Sequence, residues 1–177
     1  MVSRMRFDEL VLPHMQAAFN LAYWILGERA EAEDVVQDAF LRAFRAFGGF
    51  RGENAKPWLL AIVRNAAFRA IQNRKRSARF FILSGDVKGS DGQVVAEIAS
   101  DDPSAESVLL AAEDRERLHA ALGALPIDYR EIIVLREMEG LSYSEISEAV
   151  AIPIGTVMSR LSRARAELRE LLAQRKE

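Results

Sequence analysis

Two stretches of the chain set hydrogen-bonding and cationic side chains at helical spacing. In the first, Asn65, Arg69, Gln72 and Arg76 fall at i, i+4, i+7 and i+11, with Trp58 at the beginning of the same segment. Amides and guanidiniums beside an indole can hold phosphate, hydrogen-bond base edges and stack on bases. In the second, Ser159, Ser162 and Arg163, with Ala166, lie opposite an apolar face of Val157, Leu161, Ala164, Leu168 and Leu171. Met158, Arg165 and Arg169 flank one side of that polar face, and Arg160 flanks the other. Arginine is a forked donor for guanine and phosphate, while serine and alanine allow close approach to a groove. Taken alone, either face reads more readily as the solvated side of an amphipathic helix. A third stripe, Asp34, Gln37, Asp38 and Leu41, is acidic and carries a leucine. It suits a docking face for a basic partner, and acids near a helix N-terminus also suit the helix dipole. The residue types leave those two readings even.

The helices that must position these groups are legible from their ends. Ser142 to Glu145 is a Ser-x-x-Glu capping box, followed by the apolar pair Ile146 and Val150. Pro153 and Gly155 interrupt the pattern, and a second helix follows with proline near its first position. A capped short helix, a tight turn and a helix with a sorted surface make a helix-turn-helix the better reading of the C-terminal segment. Earlier, residues 7–26 predict one helix stopped by Gly27, with Leu10, Phe19, Leu21, Ala22, Ile25 and Leu26 toward the core. Residues 30–47 predict a second, burying Val36, Phe40, Ala43, Phe44 and Phe47. Asn54 is a good N-cap for a third helix that has Pro57 in its first turn, with Leu59, Val63, Ala66 and Ala70 on one face. In the second half, Asp102-Pro103 opens a helix to about residue 124. Val108, Leu109, Ala112, Leu118, Leu122 and Leu125 are its apolar positions, and Pro126 breaks it. Residues 128–137 form another, with Ile132, Ile133, Leu135 and Met138 as core, ended by Gly140. No strand-like alternation is present. The fold class expected is all-α: two small helical domains joined by a flexible acidic linker, the C-terminal one containing the helix-turn-helix.

The 177-residue chain carries a net charge of −2, but that total hides segregation. Residues 64–79 hold six basic side chains and no acid, residues 81–114 hold eight acids against Lys88, and residues 153–177 are basic again. The acidic stretch, rich in Ser-Gly-Asp and Asp-Gly, reads as a linker. The chain has no cysteine, which excludes disulfides, thiolate metal sites and cysteine nucleophiles. His14 and His119 have no ligand-like spacing, and there is no Gly-rich phosphate loop or Glu-x-x-His pattern. No catalytic residue, metal or cofactor is therefore expected. No apolar run approaches the ~18 residues of a membrane span, and the N-terminus has no signal-peptide pattern. A cytoplasmic protein without membrane insertion is expected.

Three segments together resemble a bacterial sigma factor of the extracytoplasmic-function group, the small type with two regions. Glu31-Ala-Glu-Asp-Val-Val-Gln-Asp-Ala-Phe-Leu-Arg-Ala-Phe44 looks like the family's core-polymerase docking helix. Phe50-Arg-Gly-Glu-Asn-Ala-Lys-Pro-Trp-Leu-Leu-Ala-Ile-Val-Arg-Asn-Ala66 looks like its promoter-melting segment. Leu125-Pro-Ile-Asp-Tyr-Arg-Glu-Ile-Ile-Val-Leu-Arg-Glu137, followed by Pro153-Ile-Gly-Thr-Val-Met-Ser-Arg-Leu-Ser-Arg-Ala-Arg165, looks like its second DNA-binding region. The resemblance implies residues 1–80 as region 2, 81–102 as an acidic linker and 103–177 as region 4. It makes Asp34, Gln37, Asp38 and Leu41 a polymerase contact. It makes Trp58, Asn65, Arg69, Gln72 and Arg76 the reader of the minus-ten element, and Thr156, Ser159, Arg160, Ser162, Arg163 and Arg165 the reader of the minus-thirty-five element. Core RNA polymerase, promoter DNA and an anti-sigma factor are the partners it implies, and no enzyme activity. One departure stands out: Met158 occupies a position where members of the family often carry Lys or Arg. The rival reading is a stand-alone helix-turn-helix transcriptional regulator, which explains residues 105–177 equally well but not the basic third helix or the acidic stripe.

Overall fold

The structure is a computed structural model that describes residues 2–52, 54–84 and 105–174, with side chains for 6–52, 54–77 and 113–174. The described residues form helices and no strand: α1 (Val2–Leu10), α2 (Met15–Leu26), α3 (Arg29–Ala46), α4 (Ala55–Ser84), α5 (Ala105–Ala124), α6 (Ile127–Ile133), α7 (Tyr143–Val150) and α8 (Ile154–Gln174). Of the linker expected over 81–102, residues 81–84 instead continue α4, and residues 85–102 lie outside the described residues, as do the Asp102-Pro103 cap and the side chains of Val108, Leu109 and Ala112.

The helix ends follow the local chemistry. Gly27 terminates α2 at φ +80°, the left-handed region that glycine enters at least cost. Asn54 caps α4 by accepting a hydrogen bond from the Lys56 amide at 3.1 Å. Ser142 and Glu145 exchange both bonds of a capping box: the Glu145 amide donates to Ser142 Oγ and the Ser142 amide to Glu145 Oε2. Those bonds, the Ser142 amide foremost, hold the Glu145 carboxyl below its ordinary pKa.

Four expectations need correction. Residues 7–26 are two helices, because Pro13 sits in a 3₁₀ turn (Leu12–His14) that turns α1 away from α2. Residues 128–137 are not one α-helix, since α6 passes into a single π-helical stretch at Val134–Met138. Phe44 and Met138 are not core, both standing substantially exposed. The turn of the helix-turn-helix is made at Ala151, which takes φ +56° after α7, whereas Gly155 lies inside α8.

In the N-terminal half, α2, α3 and α4 pack as a three-helix bundle. Alanines on all three helices (Ala18, Ala22, Ala32, Ala39, Ala43, Ala67) are fully buried and let the backbones approach closely around Leu21, Leu59, Leu60 and Val63. In the C-terminal half, α5, α6 and α7 surround α8, which buries Val157, Leu161 and Ala164 against Ile132, Leu135 and Ile146. The halves are not separate. α7 packs on α4, and α6 and the π stretch pack on α2, so a single hydrophobic core runs through the molecule.

That contact is stitched by polar groups. Arg64 of α4 grips Glu131 of α6 with Nε at 2.8 Å from Oε2 and a terminal nitrogen at 3.2 Å from Oε1, and Glu131 is fully buried. Lys56 Nζ reaches the Glu139 carboxylate at 3.0 Å and its carbonyl at 2.7 Å. Arg130 donates to the Trp24 carbonyl at 2.9 Å, and Asn54 donates to Glu145 at 3.0 Å. His119 lies against the Trp24 ring, centroids 4.6 Å apart, and shares a 3.2 Å hydrogen bond with the Tyr23 hydroxyl. Burial, and then the nearby Arg130 charge, hold that imidazole below its ordinary pKa.

Candidate nucleic-acid interface

The basic stripe of α4 stands free. Asn65, Arg69, Gln72 and Arg76 are all exposed, and at 1.5 Å per residue they extend over about 17 Å of helix. Among the described residues neither Arg69 nor Arg76 enters an ion pair, while Arg74 beside them bridges to Glu31 at 3.2 Å. Four hydrogen-bonding groups along one edge suit a run of phosphates or splayed bases. Trp58 is different: half-buried, it tilts against Phe50 at 4.9 Å and Phe47 at 6.3 Å, closing an aromatic cluster at the start of α4. Arg64, one residue before the stripe, turns inward to Glu131, because its position faces α6 rather than solvent.

On α8 the outward residues divide in two. Ser159, Ser162 and Arg163 are exposed, and Arg163 has no ion-pair partner among the described residues. The Ser159 hydroxyl donates to the Thr156 carbonyl at 3.1 Å, leaving its lone pairs outward, and Thr156 is half-buried. Arg160 instead leans on its own domain, 3.9 Å from Asp128 and 4.0 Å from Glu131. Arg165 donates through Nε to Glu137 at 2.9 Å, and this bond raises its pKa. Met158 and Ile154 are each about half exposed, at 52% and 49%.

The third surface is α3. Asp34, Gln37, Asp38 and Leu41 are all exposed, with Leu41 at 58%. Asp38 accepts from Arg42 at 2.7 Å, an i, i+4 pair between half-exposed side chains. Phe44, one turn beyond Leu41, is 50% exposed on the same side and touches the Phe7 ring edge-on at 5.2 Å. An acidic ridge with two apolar side chains beside it can seat a helix that is basic at its rim and apolar at its centre.

These surfaces coincide with two family matches. Residues 10–77 match the family described as Sigma-70 region 2, and residues 115–168 match Sigma-70, region 4. The chain is 36% identical over 169 residues to the RNA polymerase sigma-H factor of Pseudomonas aeruginosa, covering 94% of this chain and 86% of that protein. The chain belongs to the extracytoplasmic-function group of RNA polymerase sigma factors. It is also 33% identical over 168 residues to the ECF RNA polymerase sigma factor SigE of Mycolicibacterium smegmatis, across 95% of this chain and 62% of that longer protein. Among solved structures it resembles the sigma factor RpoE in complex with the anti-sigma factor NepR from Bartonella quintana, with TM-score 0.73, 31% identity, and 95% and 97% of the two chains covered. A second likeness is to CnrH in complex with the cytosolic domain of CnrY, with TM-score 0.62, 27% identity, and 97% and 90% covered. Factors of this family bind core polymerase and direct it to promoters for transcription initiation.

Two features of this sigma factor escaped the sequence reading. Helical periodicity assigns Phe44 to the buried face, although its spacing from Leu41 also continues the outward stripe. The Arg64–Glu131 pair crosses 67 residues, and nothing local announces it. The one available signal was Glu131 itself, a carboxylate four residues before Leu135 on an otherwise apolar helix face.

Proposed function

We propose that this sigma factor docks on core RNA polymerase through Asp34, Gln37, Asp38 and Leu41 of α3, with Phe44 extending that contact. Asn65, Arg69, Gln72 and Arg76 of α4 hold the minus-ten element as it opens. Trp58 supports that surface from the aromatic cluster at its start. Ser159, Ser162 and Arg163 of α8, framed by Thr156, Arg160 and Arg165, read the minus-thirty-five element in duplex. Residues 1–80, 81–102 and 103–177 are the corresponding region 2, linker and region 4. The observation that carries the reading is the pair of exposed basic faces, on α4 and α8, within the two matched regions of one chain. The chain is no enzyme in this reading. It lends promoter choice to a polymerase that does the chemistry, in the cytoplasm where that polymerase works. Among the described residues no helix is long and apolar enough to cross a membrane.

Geometry adds one requirement. A packed chain of this length is about 40 Å across, whereas promoter elements two helical turns apart are separated by ~70 Å. The packed halves therefore part before both faces touch one promoter. The structural relative RpoE was captured with the anti-sigma factor NepR, and an anti-sigma factor that holds this chain closed is the matching partner. Transcription from a randomised promoter library, reconstituted with core polymerase and this chain, tests the proposal. Selection of a two-element promoter supports it, and absence of any start-site choice refutes it. Binding of the isolated chain to a single duplex site without polymerase would favour the stand-alone regulator instead.

A further inference from the structure

Met158 and Ile154 leave an apolar edge on an otherwise polar reading helix. Both are about half exposed, and they stand one turn apart at i, i+4. The same edge continues with Ser162 and then Arg165 and Arg169, at i+4, i+7 and i+11 from Met158. Neither apolar side chain belongs to the core cluster, which takes Val157 and Leu161 from the adjacent face. So two large apolar groups face solvent beside cations that suit phosphate.

A thioether on this edge cannot donate to guanine O6 or N7 and cannot pair with phosphate. The major groove offers one apolar group to such a side chain, the 5-methyl of thymine. The occupant is chosen by charge: Arg169 and Arg165 lie on the same edge, Arg165 bonded to Glu137, and the exposed Arg163 stands on the adjoining outward face, so the surface favours a polyanion over an apolar protein helix.

We infer that Met158, backed by Ile154, packs on thymine 5-methyl groups and makes the minus-thirty-five element of this factor's promoters thymine-bearing at one or two fixed positions. The inference rests on the assignment of α8 as the duplex reader. Burying one methyl corresponds to about a fourfold change in affinity.

The test uses holoenzyme and the promoter selected from the library. Each minus-thirty-five thymine is replaced in turn by deoxyuridine, which removes only the methyl. With the wild-type factor, one or two replacements should weaken promoter binding about three- to fivefold. Met158→Ala should bind the thymine promoter as weakly as wild type binds the deoxyuridine one, and should be indifferent to the replacement. Met158→Arg should shift the library preference at that position from thymine toward guanine. Wild-type indifference to deoxyuridine at every position overturns the inference. So does a Met158→Ala factor that keeps full sensitivity, or one that loses core-polymerase affinity, the sign of a protein contact. Arg163→Ala separates the two levels. If it lowers promoter use while deoxyuridine is inert, only the methyl contact fails; if it has no effect, the assignment of α8 fails.

Discussion

Removing Arg64 should open the molecule. Glu131 is fully buried, and its carboxylate depends on the Arg64 fork, with Arg160 4.0 Å away as the next cation. Breaking a buried pair from one side costs about 3–5 kcal/mol, because the remaining charge stays desolvated. The interface can escape that cost by parting, so Arg64→Ala should shift the closed–open balance about 10²–10⁴-fold toward open. Protonation of the carboxyl sets a ceiling on the effect. Burial pushes the Glu131 pKa up, more than the Arg64 bonds and charge bring it down. A carboxyl whose pKa is higher in the closed form binds its proton more tightly there. The closed form therefore gains stability as pH falls through the raised value and loses that contribution above it. Arg64→Ala removes the main opposing influence, so acidification should reclose the variant more strongly than wild type. With no native cysteine in the chain, dyes on cysteines at the exposed positions Arg45 and Glu170 report closure by energy transfer. Expected are lower transfer for Arg64→Ala at neutral pH and recovery on acidification. Arg74→Ala, which breaks an exposed pair, should change the balance by less than ~1 kcal/mol. Replacing both partners by apolar residues, Arg64→Met with Glu131→Leu, should restore closure. Unchanged transfer in Arg64→Ala, with an unchanged unfolding midpoint, would refute the reasoning.

Asp38→Ala and Leu41→Ala should weaken core-polymerase binding and leave promoter selectivity of the assembled holoenzyme intact, measured by competition for core against a second sigma factor. Arg163→Ala should do the reverse, costing about 1–3 kcal/mol in promoter recognition with core affinity unchanged. Ala151→Gly should stabilise the C-terminal half by about 0.5–1 kcal/mol in chemical denaturation. The left-handed turn costs alanine ~1–2 kcal/mol, less the entropy that glycine adds to the unfolded chain. Ser142→Ala should cost about 1 kcal/mol through loss of the cap. Because the cap holds the Glu145 carboxyl below its ordinary pKa, its contribution is present above that value and fades as pH falls through the lowered one. A denaturation midpoint for Ser142→Ala equal to wild type at pH 7 would count against it.

By itself the sequence determined most of the helices, the caps at Ser142 and Asn54 and the outward stripes. Those depend on neighbours three or four residues away: Ser142 finds Glu145 and Asn54 finds the Lys56 amide, and Asn65, Arg69, Gln72 and Arg76 align simply because a helix repeats every 3.6 residues. It was silent on what lies between distant faces. Only the tertiary structure decided that Arg64 faces Glu131 rather than DNA, that Arg160 and Arg165 are drawn back to Asp128 and Glu137, and that Phe44 looks outward. It also placed the reading turn at Ala151, where an L-residue is held in a left-handed conformation by the docking of α7 and α8. The physical reason is range. Capping and periodicity act along the chain, but burial and ion pairing depend on which surfaces meet, and the packing of α4 on α7 and α2 on α6 joins residues more than sixty positions apart.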